Sequence, residues 1–269
     1  MPACTSSSGG AESSPEGGTG DGSPTADGAT ACRREAGANT TGCAKTSASP
    51  VAWWPLGDVR DVIGCNDGMM VGTGGGFVPA KVGQGYSTMQ SSYIVVPDAP
   101  ELRPVNYTVM AWVNVTGVSG LNKWIVSKGP SSGLDVDFTY ALAVAGSACC
   151  VIGPQAFVSG PQVAGHLYLD FGDGKNEQLL FSDNPVPLGS FVHVAATADG
   201  STISLWVNGK LAGSAKQQLS PKGNTDPIMI GGANYLPGVV DEVMLWNTAL
   251  TGAEIAAIVA AGSSGVCRQ

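Results

Sequence analysis

The residue with the sharpest chemical demand is Asp241, inside Gly238-Val239-Val240-Asp241-Glu242-Val243-Met244-Leu245-Trp246. Read as a strand, alternate side chains face opposite ways, which puts Asp241 on one face with Val239, Val243 and Leu245. A carboxylate among inward aliphatics is costly unless a cation, an ammonium or backbone N–H groups compensate it. Calcium suits the position, since it takes carboxylate and carbonyl oxygens at loops and strand ends. Backbone N–H groups or a pairing with Lys81 supply the alternative.

A sugar-binding surface needs a different set, an aromatic platform with amide or carboxylate groups beside it, because sugar C–H faces pack on rings. Trp124, Tyr140, Tyr168 and Tyr235 with neighbouring Asn234 are the residues that could build one. Asp135-Val136-Asp137 puts two carboxylates on one face of an extended segment, with no third acid to complete a catalytic group. Gly129-Pro130-Ser131-Ser132-Gly133 matches the nucleophile-elbow pattern, but no helix follows it, so it reads as a loop. Gly72-Thr73-Gly74-Gly75-Gly76 lacks the strand-to-helix context of a phosphate site. His166 and His193 are the only histidines, and they are far apart.

Seven cysteines stand at 4, 32, 43, 65, 149, 150 and 267, without a zinc spacing. Disulfides in an oxidising compartment are the expectation. Cys32 and Cys43 are close enough in sequence to close a local loop. Cys65 and Cys267 flank a domain whose ends are expected to meet, so we expect them to pair. Adjacent Cys149 and Cys150 can form only a strained vicinal bridge or seek separate partners. Six cysteines without Cys4 allow fifteen connectivities, so these pairings stay open.

What must hold these groups is a β scaffold. Residues 1–50 contain no aromatic residue, Ile, Leu or Val and read as a disordered Ser/Gly/Thr-rich tether. From Val51 to residue 269 apolar residues recur every few positions, as in a single all-β domain. Val192, Val194 and Ala196 alternate, Asp199-Gly200 turns the chain into Ile203, Leu205 and Val207, and Asn208-Gly209 favours a type I′ hairpin returning through Leu211. One helix is expected: Thr251-Gly252-Ala253-Glu254 is a capping box, Ile255, Ile258 and Val259 form a stripe, and Gly262 stops it. Many short strands with one late helix imply a two-sheet antiparallel jelly-roll sandwich.

The net charge is −8, and no basic cluster exceeds Arg33-Arg34, which argues against a nucleic-acid partner. No run of 18 apolar residues occurs, so no transmembrane helix is expected.

Two resemblances add to this reading. Ala3-Cys4-Thr5-Ser6-Ser7-Ser8-Gly9-Gly10 resembles the residues around the modified cysteine of bacterial lipoproteins. That likeness implies a lipid anchor at Cys4, an export signal upstream of Met1, and a secreted or cell-surface protein of a bacterium. Residues 51–262 resemble the laminin G-like jelly rolls of the concanavalin A-like lectin/glucanase superfamily. The carriers include Val51-Ala52-Trp53-Trp54-Pro55-Leu56, Phe77 to Gly85, Tyr107 to Val113, Pro187 to Gly209, and Gly238 to Leu250. The stretch from Gly146 to Gly165 departs from the pattern by its length.

This second resemblance implies a structural calcium near the sandwich rim, joining the last strand to the first loops. Asp58 is then the best second ligand to Asp241, with Asp61 and Asp98 behind it and carbonyls around Gly83 contributing. It also implies a hydrogen-bonded scaffold role for His193. The superfamily's glucanases carry Glu-x-Asp-x-Glu or a close variant on one strand. None of the seven glutamates here belongs to such a group. The expected function is therefore a non-catalytic extracytoplasmic module binding a glycan or a surface protein. The alternatives are a structural or adhesion protein without a small ligand and an atypical glycoside hydrolase-like enzyme.

Overall fold

The computed structural model describes residues 41–88, 92–130, 135–148, 154–232 and 236–267. The first strands are β1 (Ala52–Trp54), β2 (Met69–Val71), β3 (Gly76–Pro79), β4 (Gln84–Ser87) and β5 (Tyr93–Val96). Next come β6 (Tyr107–Val115), β7 (Lys123–Lys128), β8 (Tyr140–Val144), β9 (Ala156–Ser159), β10 (His166–Gly172) and β11 (Glu177–Pro185). The series ends with β12 (Val192–Ala198), β13 (Thr202–Val207), β14 (Lys210–Lys216), β15 (Ile228–Ile230) and β16 (Gly238–Trp246). The helix α1 (Gly252–Ala261) follows.

Two sheets form. One runs β14-β13-β12-β6-β16-β4-β3, with β1 added on β16; the other runs β2-β5-β15-β7-β8-β10-β11-β9. The named strand pairs are antiparallel except β9 on β11, which is parallel. The expected all-β sandwich with one short C-terminal helix is the architecture observed.

Period-two alternation builds the central layer. Val109, Ala111, Val113 and Val115 of β6 and Val192, Val194 and Ala196 of β12 meet Leu142, Val144, Leu167 and Leu169 from the other sheet. Each Val or Leu among them contributes about 1.5–3 kcal/mol when it leaves water. The meander β12-β13-β14 is as expected, and its last turn has Asn208 and Gly209 both at positive φ, 49° and 76°, the type I′ geometry.

A second apolar layer covers the outside of the first sheet. Trp53, Met110, Met244 and Trp246 pack there under Ile255 and Ile258 of α1. The capping box forms as expected: Thr251 accepts from the Glu254 N–H and Glu254 accepts from the Thr251 N–H. Glu254 also takes the Ser47 N–H at 2.5 Å.

The ten residues before Val51, expected to be tether, differ from that expectation. Ala44 is buried and exchanges backbone hydrogen bonds with Gly265 and Cys267, and the Trp246 indole donates to the Ala48 carbonyl. Cys43 is bonded to Cys267 across 224 residues of chain. Cys65 is disulfide-bonded too, so neither Cys65–Cys267 nor Cys32–Cys43 is the pairing. The ends of the domain do meet as expected, but the segment that meets residues 265–267 starts earlier than Val51. Cys4, Cys32, Cys149 and Cys150 lie outside the described residues.

Candidate functional site

Asp241 is fully buried, yet on the opposite face from the one expected. A bulge between Asp241 and Met244 adds a residue to β16, and Glu242 adopts φ 53° within it. An extra residue flips the alternation. Val240, Val243 and Leu245 therefore enter the central layer, whereas Asp241 pairs with Trp112, which pairs in turn with His193. Asp241, Trp112 and His193 form one row across three strands on the outer face of the first sheet.

The turn between β3 and β4 closes over this row. Val82 N–H donates to Asp241 Oδ2 at 2.8 Å, while Oδ1 has no hydrogen-bond partner. Gly85 permits the approach: a Cβ there would lie 2.7 Å from the Val240 carbonyl and 3.0 Å from the Asp241 Cβ. Burial pushes the Asp241 carboxyl up to about 7 against the opposing backbone N–H groups of Val82, Glu242 and Lys81. Lys81 does not pair with it; its ammonium lies 4.6 Å from the Trp112 ring centre.

The expected calcium ligands do not assemble. Asp58 is engaged by the Arg60 side chain and by the Arg60 N–H. Asp61 is buried and accepts from the N–H groups of Trp53, Ile63, Gly64 and Asn66 and from the Asn66 amide. Asp98 binds Arg103 and the buried Lys128 ammonium, and the Arg103 hydrogen bond foremost holds it down at about 2. Among the described residues no three His, Cys, Asp or Glu side chains converge on a metal position.

The sugar-platform residues separate as well. Tyr140 is in the central layer, fully buried, with its hydroxyl toward the Leu102 carbonyl at 3.4 Å, and so presents no ring to a ligand. Trp124 and Tyr168 do share a face, on the outside of the second sheet. Phe138, Trp124, Tyr168 and Phe181 form a row with ring centres 5.1, 5.8 and 5.2 Å apart. Ala156 and Val158 of β9 pack on this row, and Trp124 is 9% exposed. Sequence reasoning found two of its four rings; alternation along β11 places Phe181 on the face of Leu179 and could have found the third. Asn234 and Tyr235 lie outside the described residues, as do Ser131, Ser132 and Gly133. Asp137 is half-exposed and reaches Lys222 at 3.3 Å.

His193, expected as a hydrogen-bonded scaffold residue, is buried edge-on against Trp112, ring centres 5.3 Å apart. Its Nδ1 has no hydrogen-bond partner. Burial pushes its pKa down to about 3, so the ring is neutral.

A sequence profile described as the concanavalin A-like lectin/glucanases superfamily matches residues 88–256. No curated protein matches the sequence. Domain 4 of AbnA, a GH43 extracellular arabinanase from Geobacillus stearothermophilus solved with arabinotriose, is similar with a TM-score of 0.57 at 17% identity. The match covers 78% of this chain and 97% of that one. The binding domain of Paraclostridial Mosquitocidal Protein 1 matches with a TM-score of 0.57 at 14% identity, over 78% of this chain and 51% of that chain. The botulinum neurotoxin serotype D ligand binding domain, solved with N-acetylneuraminic acid, gives 0.56 at 12% identity, over 78% and 50%. This chain thus spans about half of each toxin domain. At these identities the likeness is one of fold.

Proposed function

The chain belongs to the concanavalin A-like lectin/glucanases superfamily, and from that premise we propose that it is a non-catalytic recognition module that binds carbohydrate outside the cell. The observation that carries this reading is its match to nearly the whole of an arabinanase domain solved with arabinotriose. A second similar domain is solved with N-acetylneuraminic acid. Supporting the non-catalytic part, Asp58, Asp61, Asp98 and Asp137 are each tied into turns or ion pairs rather than set as a facing acid and base. Supporting an extracytoplasmic location is the Cys43–Cys267 disulfide. No helix among the described residues is long and apolar enough to cross a membrane. Anchoring at Cys4 belongs to the same proposal.

Within the outer ring row Tyr168 and Phe181 are fully buried and Phe138 and Trp124 only 6% and 9% exposed, so the contact we assign to the sugar is confined to the exposed edge of Trp124. A glycan array probed with the full chain, arabinan oligosaccharides and sialosides included, tests it. Specific binding that Trp124→Phe keeps and Trp124→Ala loses is expected. An array without signal rejects the carbohydrate reading. A structural or adhesion role would then be favoured by β2, an edge strand with Met69 and Met70 60% and 56% exposed. Release of reducing sugar from a polysaccharide, abolished by Asp137→Asn, would instead establish an enzyme.

A further inference from the structure

Under α1, the outer face of the first sheet holds a small cavity lined by Met110 and Trp112 of β6, His193 of β12, and Glu242 and Met244 of β16. Strand register gathers them. Met244 stands directly opposite Met110, and His193 directly opposite Trp112. Met110 and Trp112 are two residues apart and share a face. Opposed residues in such a ladder have Cβ atoms about 5 Å apart, so two thioethers and an imidazole border one space. That space has room for about one water molecule.

Simple packing accounts for the two methionines but not for the histidine. His193 is 1% exposed, and its Nδ1 has no hydrogen-bond partner although buried nitrogen is costly without one. The bulge that frames the cavity also holds Glu242 at a positive φ, a conformation a non-glycine residue adopts only when its surroundings enforce it. We propose that Met110, Met244 and His193 form a binding site for a soft monovalent cation of the copper(I) and silver(I) type.

Ligand chemistry selects that class. Thioether sulfur is a soft donor that favours copper(I), and imidazole suits copper as well. Calcium and magnesium want oxygen ligands, and structural zinc wants four ligands drawn from thiolate, imidazole and carboxylate. The Glu242 carboxylate at the cavity wall offsets one positive charge while its Oε2 accepts from the Trp53 indole at 2.7 Å. The other charged groups on this face are Lys81, over the Trp112 ring, and Asp241, under the β3–β4 turn.

The test uses the full chain, oxidised and with free thiols alkylated, titrated with silver nitrate in chloride-free buffer. Calorimetry reads stoichiometry, and proton–nitrogen spectra read the rings of His166 and His193 separately. Uptake of one equivalent, a higher thermal midpoint, and movement of the His193 ring resonances alone are expected. Met110→Leu with Met244→Leu nearly conserves volume, so the double variant is expected to fold and to lose the uptake. Absence of uptake overturns the proposal, as does uptake that leaves the His193 ring unmoved or persists in the double variant. Equal uptake of zinc(II) at the same ring also overturns it. The ring readout on the unaltered protein stands even where a variant fails to fold.

Discussion

A carboxyl group with one oxygen on a backbone N–H and the other unbonded, closed off from water, prefers to hold a proton. In Asp241 burial lifts the pKa to about 7. The unfolded chain titrates near the ordinary aspartate value, about 3.9. The folded state therefore binds more protons between those values, and its stability declines as pH rises from about 4 to about 7. Asp241→Asn abolishes that titration. Relative to the native protein it is expected to gain up to about 4 kcal/mol in denaturant unfolding at pH 8 and to show little gain at pH 4. A gain of equal size at both pH values refutes the assignment. Asp98 is the opposite kind of acid. Its carboxylate neutralises the Lys128 ammonium, which is wholly buried. Asp98→Ala leaves that charge without its counterion and is expected to cost about 3–5 kcal/mol. Adding Lys128→Met should restore much of the loss in the same unfolding measurement, since the uncompensated charge then disappears.

Helix α1 depends on its first turn more than its sequence announces. Thr251→Ala removes the hydroxyl that accepts the Glu254 N–H and is expected to cost about 1 kcal/mol. Glu254→Ala is expected to cost more, because the same carboxylate holds Thr251 and, from far along the chain, Ser47. Paired thermal melts of the two variants check the order. The box itself was legible because its partners are three residues apart; the Ser47 bond was not, because it joins residues 207 apart. The same division runs through the strands. Alternation in β12 and β13 and the Asn208-Gly209 turn are local, and they formed as expected. Strand β16 was legible as a strand, but its facing was not. The bulge at Glu242 is enforced by the Trp53 indole and by pairing with β6, neither of which lies nearby in sequence. The burial of Asp241 was correctly anticipated, then, while its face and its partner were not. The sugar platform misled for a related reason: Tyr140 and Trp124 both sit in strands, and only the stacking order of the sheets separates a core ring from an outer one.

At the scale of the whole molecule, the two ends of the domain are held by different kinds of contact. Residues 41–50 carry almost no apolar bulk, so composition assigns them to the tether. Ala44 nevertheless bridges Val266, Ala48 takes the Trp246 indole, and Cys43 is bonded to Cys267. A cross-link enclosing 224 residues removes far more freedom from the unfolded chain than from the folded one. In the chain-entropy model that difference contributes about 5 kcal/mol. Cys43→Ala with Cys267→Ala is expected to lower the guanidinium midpoint markedly under oxidising conditions, a difference from the native protein that reductant should largely remove by opening the same bond there. Few contacts then hold the segment, so its opening should precede global unfolding and uncover the Trp246 indole. A red shift in tryptophan emission at denaturant concentrations below the main transition, seen in the double variant and not in the oxidised native protein, is the expected signature. Coincident transitions in both proteins would mean that hydrogen bonds alone keep the N-terminal segment in place.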